Sequence, residues 1–184
     1  MVDREEGLKM IKEYVKNDKL LKHMLAVSVI MKALAQKLGE DENLWELTGL
    51  LHDIDYEIVG GNFERHGIES TENILKGLLP EIALNAIKAH NELTGFKCEE
   101  KIAYALRAAD QVSGLIIATA LVMPNKKLEE VKVSSLKKKF KQKDFARNVK
   151  REDIMLCEKL GINLDEFLEI SLNALKGISN ELGL

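Results

Sequence analysis

Leu50-Leu51-His52-Asp53-Ile54-Asp55 is the stretch on which the rest of the chain turns. An imidazole followed directly by a carboxylate, at the end of an apolar helical run, makes a poor core. Burying an unpaired charge costs on the order of several kcal/mol or more. The same two groups make a good start to a metal site, one offering nitrogen and the other oxygen. The remaining polar residues that fall on inward positions, namely His23, His66, His90 and Asp110, are the ones that would complete such a site.

The pattern around this stretch is helical on both sides. Asp41 is placed to cap a helix carrying Leu44, Leu47, Leu50, Leu51, Ile54 and Ile58, which stops before Gly60-Gly61. On that helix His52 and Asp53 would lie about 100° apart. Upstream, a first helix is predicted over about 5–16. A second starts at Asn17 or Asp18, runs to Leu38 and stops at Gly39, with His23, Val27, Ile30 and Leu34 on one stripe. Downstream, Gly60-Gly61-Asn62 reads as a loop, and His66 heads a helix over about 66–78. Pro80 suits the first position of a fifth helix with Ile82, Ala86 and Ile87 inward and His90 at its end. A sixth, over about 99–122, carries Ala103, Leu106, Asp110, Ser113, Ile117 and Leu121 on one stripe. Asp110 is thus an acid on an apolar face. Short helical structure is predicted around 134–142. The last two helices cover about 151–160 and 165–182, divided by Gly161, with Asp165 as cap. Two prolines and no alternating β-branched runs give an all-α class, a helical bundle with a C-terminal helical extension. At 184 residues the chain is expected to form one domain.

Composition narrows the function classes. Nothing approaches ~18 uninterrupted apolar residues, so no membrane span or membrane partner is expected. The acidic start, Met1-Val2-Asp3-Arg4-Glu5-Glu6, does not read as a secretory signal. Cys98 and Cys157 form no CxxC pair, which argues against a disulfide framework and for a reducing cytoplasm. The net charge of −3 conceals a strong asymmetry. Residues 124–151 hold 11 Lys+Arg against 3 Asp+Glu, while both flanking regions are acidic. Lys137, Lys138, Lys139, Lys141, Lys143 and Arg147 read either as a solvated face or as a wall that draws an anionic substrate in. Aromatic interleaving is limited to Phe140 and Phe145, so nucleic acid ranks low as a partner. Oligomeric state is left open, a homodimer included. Trp45, Tyr104 and the methionines are most simply core.

Counting ligands divides the six residues. One ion would take His23, His52, Asp53 and Asp110, and a second would take His66, His90 and the other oxygen of Asp53. Two divalent ions about 3.5–4 Å apart can share a hydroxide as nucleophile and polarise a phosphoryl oxygen. Mixed nitrogen and oxygen ligation suits iron, manganese, zinc, cobalt or nickel. Asp55 reads either as a group that orients a metal-bound imidazole or as a proton shuttle, so Asp53 and Asp55 are the catalytic candidates.

His23, the His52-Asp53 pair and Asp110 resemble the HD-domain superfamily of metal-dependent phosphohydrolases. With His66 and His90 they are similar to its six-ligand, dinuclear branch, which includes symmetrical dinucleoside tetraphosphate hydrolases and cyclic-di-GMP phosphodiesterases. The resemblance covers about 20–122. Leu136-Lys137-Lys138-Lys139-Phe140 and Phe145-Ala146-Arg147 look like the C-terminal part of small prokaryotic HD hydrolases. The resemblance implies hydrolysis of a nucleotide or other small phosphoester. Its other implications are a diiron oxygenase with the same ligand order, or a non-catalytic nucleotide or metal sensor. One departure stands out. Many of these enzymes carry a lysine soon after the His-Asp pair, whereas this chain has Ile54-Asp55-Tyr56-Glu57. Arg65, beside His66, and Arg107, one turn before Asp110, are the candidates for the missing phosphate contact.

Overall fold

The computed structural model describes every residue from Met1 to Leu184. It is helical throughout, with no strand beyond an isolated bridge between Lys76 and Leu79. Nine α-helices follow in order: α1 (Arg4–Tyr14), α2 (Asp18–Leu38), α3 (Glu42–Leu51), α4 (Glu81–His90), α5 (Lys101–Leu121), α6 (Val133–Lys141), α7 (Arg151–Ile154), α8 (Leu164–Lys176) and α9 (Ser179–Leu182). No helix is long and apolar enough to cross a membrane.

The two long helices, α2 and α5, form the centre. The α2 N-terminus is closed by Asn17, whose side chain accepts from the Lys19 and Leu20 amides, and its C-terminus by Gly39 at φ +69°. Val27, Ile30 and Leu34 lie fully inside, as the stripe requires. The buried face of α5 is built largely of alanine, with Ala103, Ala105, Ala108 and Ala109 inaccessible, which lets neighbouring helices come close. Gly49 does the same on α3. A Cβ there would sit 2.9 Å from the Met31 side chain and 3.0 Å from the α2 backbone, so α3 lies tight against α2. Buried hydrophobics from all nine helices join one cluster of 42 residues. Glu46 is buried among them and is held by Arg4 at 2.7 Å and Lys32 at 3.0 Å, which ties α1 and α2 to α3.

The largest departures from the sequence reading fall where the site is built. The α3 helix does not continue to Ile58 but ends at Leu51, with His52 as its C-cap. Beyond it the winding tightens, with the Ile54 amide bonding the Leu51 carbonyl and the Tyr56 amide the Asp53 carbonyl. Asp53 therefore sits on a tighter turn than an α-helix would give it. No helix starts at His66. Phe63–Arg65 forms a 3₁₀ turn that His66 closes, and Ser70–Ile74 winds as a π-turn. Gly67 divides them at φ +91°, a conformation open to glycine.

Smaller shifts follow from capping chemistry. Pro80 is the N-cap of α4 rather than its first residue. Asn163, not Asp165, caps α8, its side chain accepting from the Glu166 amide. The predicted 151–160 helix is α7 followed by a 3₁₀ stretch, and the final helix breaks at Gly177 into α8 and α9.

Candidate metal centre

Four imidazoles and two carboxylates, drawn from positions 23 to 110, meet in one place. His23 comes from α2, His52 and Asp53 from the end of α3, His66 from the turn before Gly67, His90 from the last residue of α4 and Asp110 from the middle of α5. The Asp53 carboxylate lies at the centre with its oxygens facing opposite ways. Its Oδ2 is 3.4 Å from His23 Nε2 and 3.3 Å from His52 Nε2. Its Oδ1 is 3.0 Å from His66 Nε2 and 3.3 Å from His90 Nε2. Asp110 Oδ1 closes the first group, 2.9 Å from His23 Nε2 and 3.8 Å from His52 Nε2. The close contacts thus fall on both sides of one carboxylate, that of Asp53.

The far side of each ring explains why all four present the same nitrogen. His52 Nδ1 lies 2.7 Å from the Gly49 carbonyl and His90 Nδ1 2.5 Å from the Ile87 carbonyl. A carbonyl oxygen can only accept, so Nδ1 carries the proton and Nε2 is the open nitrogen in the neutral ring. His66 Nδ1 faces Asp55 Oδ1 at 2.7 Å. The Ser113 hydroxyl donates its proton to the Asp110 carbonyl, and so is left to accept from His23 Nδ1 at 3.4 Å. Each ring is oriented from behind, the arrangement that metal-binding histidines need.

Electrostatics agree. Burial pulls the His23 pKa down, but Asp110 and Asp53 overcome it and raise it to about 10. The same opposition leaves His52 at about 9, through Asp53 and Asp110, and His66 at about 9, through Asp53 and Asp55. Asp53 and Asp110 are held well below the usual carboxylate range, the facing histidines outweighing burial. These acids demand positive charge, which either protons or metal ions can supply. His52 Nε2 is fully buried and, despite its nearness to Asp53, has no aligned hydrogen-bond partner. His66 and His90 point their Nε2 atoms at one another, 3.1 Å apart. An unpartnered nitrogen beside two carboxylates is what a divalent cation would satisfy, so the residues fit a divalent-metal centre.

The centre opens into a cleft of about 230 Å³, lined by Asp53, His66, His90 and Asp110 together with Tyr56, Asn91, Glu92, Gln111, Lys150 and Asp153. Asp55 is not on that surface. It is fully buried, its second oxygen accepting from the Gly67 and Ser70 amides, so of its two candidate roles the geometry supports orienting His66 over shuttling protons.

The proposed phosphate contacts are placed elsewhere. Arg65 pairs with Glu69 and Glu72 in solvent. Arg107 pairs with Asp153 at 2.7 Å and lines a neighbouring cavity with Phe96 and Tyr104. Lys137 pairs with Asp165, Lys139 lies over the Phe145 ring, and Lys138 and Arg147 are exposed. None of these lines the cleft, although Arg107 bonds Asp153 on its wall.

Lys150 is the one lysine that does, and the sequence reading passed over it. Its backbone amide donates to Gln111, whose side chain also donates to Asp110. The next residue explains the placement. The Arg151 guanidinium donates to the carbonyls of Lys139, Phe140, Gln142, Phe145, Ala146 and Val149, gathering the basic segment into a folded loop that ends at the cleft. Ala146 takes φ +45° inside it. No local pattern marks an arginine that will do this.

Residues 20–120 match the HD domain family, more than half of the chain. Among curated proteins, Ribonuclease Y of Clostridium novyi is 30% identical over 173 residues, covering 89% of this chain and 32% of that protein. Ribonuclease Y of Bacillus cereus is 30% identical over 170 residues, with 89% and 32% covered. Ribonuclease Y of Listeria welshimeri is 36% identical over 98 residues, 51% and 18%. The chain spans about a third of the length of the first two. No solved structure matches significantly.

Proposed function

The chain belongs to the HD-domain family of metal-dependent phosphohydrolases, and from that premise we propose that it hydrolyses phosphodiester bonds in RNA or a related nucleotide substrate. The observation that carries the reading is the shared Asp53 carboxylate, flanked by four Nε2 atoms whose rings are all fixed from behind. His23, His52, Asp110 and one Asp53 oxygen would hold one divalent ion, and His66, His90 and the other oxygen a second. When bound, such ions supply an activated water and a Lewis acid for a phosphoryl oxygen.

The chain's own residues supply the rest. Asp55 keeps His66 in place, and Gln111 positions both Asp110 and the backbone of Lys150. Asp53, Glu92, Asp110 and Asp153 face Lys150 across the cleft, an excess of negative charge that disfavours phosphate until divalent charge offsets it. Lys150 is then the cation for a phosphate oxygen, in place of the lysine absent after Asp53. Its pair with Glu92 is exposed and screened by solvent, which makes exchange for phosphate easy.

Sequence patterning ranks nucleic acid low because the basic segment carries only two aromatic residues, Phe140 and Phe145. Similarity to proteins named as ribonucleases leans the other way and supports a diester over a monoester. It also favours hydrolysis over the oxygenase alternative. The test is a short single-stranded RNA incubated with protein supplied with Mn²⁺, Fe²⁺ or Zn²⁺. Hydrolysis is expected, and Asp53→Ala should lose both bound metal and activity. Cleavage of p-nitrophenyl phosphate with the RNA left intact would overturn the diester reading.

A further inference from the structure

Exposed apolar side chains are not scattered evenly over this molecule. Of the nine large ones, Tyr56, Ile58, Phe63, Leu93 and Phe96 come from the two loops that flank the metal cleft. Tyr56 lines the cleft itself and is 42% exposed. Its ring stands edge-on to His66, centroids 5.3 Å apart at 88°, and leans on Phe63 at 5.5 Å. Phe63 is in turn 40% exposed.

The pair is held firmly. The Tyr56 amide bonds the Asp53 carbonyl, so the ring stands one tight turn, three residues, from the Asp53 carboxylate. Asn91 Nδ2 donates to the carbonyls of both Phe63 and His66, locking the loop that carries Phe63 against the one that follows His90. Leaving a rigid aromatic ring half in water, beside a centre that handles phosphate, costs burial that the fold has not recovered.

We propose that Tyr56, backed by Phe63, is a stacking platform for the nucleobase next to the phosphate being cleaved. The proposal rests on the phosphodiesterase reading above and adds how the substrate is gripped. A base attached to a phosphate at the centre lies within reach of the Tyr56 ring, because both line one cleft of about 230 Å³. Stacking uses a π-face that every base has, so the platform selects single-stranded nucleic acid without selecting sequence. The aromatic platform is therefore supplied by the 52–66 connection rather than by Phe140 and Phe145 of the basic segment. Lys150 lies on the same cleft, so one nucleotide can meet a ring through its base and an ammonium through its phosphate.

The experiment is fluorescence anisotropy, on the Mn²⁺-loaded protein, of a labelled single-stranded phosphorothioate hexaadenylate and of an abasic hexamer with the same backbone, the sulfur substitution slowing hydrolysis. Wild type should prefer the hexaadenylate by about 5- to 150-fold, the range for stacking one base on an aromatic ring. Tyr56→Leu, which keeps bulk without a π-face, should remove most of that preference and leave abasic binding unchanged. Tyr56→Trp should keep or raise it. Equal binding of the two oligomers by wild type, or an undiminished preference in Tyr56→Leu, overturns the proposal. Preference without any cleavage of the unmodified hexaadenylate would instead overturn the phosphodiesterase reading and leave the platform standing.

Discussion

His66 and Asp55 form a buried pair, Nδ1 to Oδ1 at 2.7 Å, that turns His66 Nε2 towards Asp53. The other Asp55 oxygen holds the Gly67 and Ser70 amides, so one carboxylate shapes the turn and aims the ring. Burial opposes its ionisation, but His66 and those amides keep its pKa below the usual value. Asp55→Ala would leave three buried donors unpaired, a loss of about 1–3 kcal/mol for each group left unsatisfied. Asp55→Asn should fold better yet bind metal about 10- to 100-fold more weakly, the usual effect of removing a group behind a metal ligand. Melting temperature and metal titration separate the two effects, and unchanged metal affinity in Asp55→Asn would remove the orienting role.

Gly67 makes the same turn sterically strict. It takes φ +91°, and a Cβ would fall 2.9 Å from the Ile87 carbonyl and 3.7 Å from the His90 ring. Gly67→Ala should therefore destabilise by about 1–3 kcal/mol through backbone strain alone. The clash falls on the carbonyl that fixes His90 Nδ1, so it should also disturb that ring, with loss of bound metal. Thermal melts and elemental analysis check both.

Protons and metal ions compete for the same nitrogens, which sets a pH dependence. His23, His52 and His66 rise from 6.5 to about 10, 9 and 9 in the folded metal-free protein. Their stabilisation is complete below pH 6.5 and is lost as pH climbs through 9 to 10. Asp53 and Asp110 are depressed, so their contribution is present above 3.8 and is lost as pH falls through their folded values. In EDTA the melting temperature should thus fall between pH 7 and 10. With Mn²⁺ it should hold, since neutral imidazole is the form that binds metal, and binding near pH 7 should release protons. A flat profile in EDTA would contradict the charge balance described for the centre.

Lys150 and the lysines of α6 are expected to behave differently. Lys150→Ala should raise KM for a phosphorylated substrate about tenfold or more, since a hydrogen bond to a charged group is worth about 1.5–3 kcal/mol. The sequence pattern alone points to Lys137, Lys138 and Lys139. Their side chains lie away from the cleft, so replacing all three should change KM little, and only at low salt. Steady-state kinetics at two ionic strengths distinguish the two sets.

The sequence by itself determined the class of the fold and singled out the six side chains that the structure brings together. Helical periodicity and caps such as Asn17, Gly39 and Asp41 are local, so they are legible without tertiary contacts. An acid such as Asp110 on an apolar stripe cannot stand alone, so it announces partners wherever they lie. Tertiary structure alone decided which Asp53 oxygen serves which histidines, that Asp55 works from behind His66, and that Lys150 reaches the cleft. It also decided that the chain leaves the α-helix after Leu51 and passes through Gly67. Those features depend on contacts between residues tens of positions apart, such as Gly67 against Ile87 and Arg151 against the 139–149 carbonyls. Local propensity is blind at that range, because the energy that bends the backbone comes from the neighbour it meets.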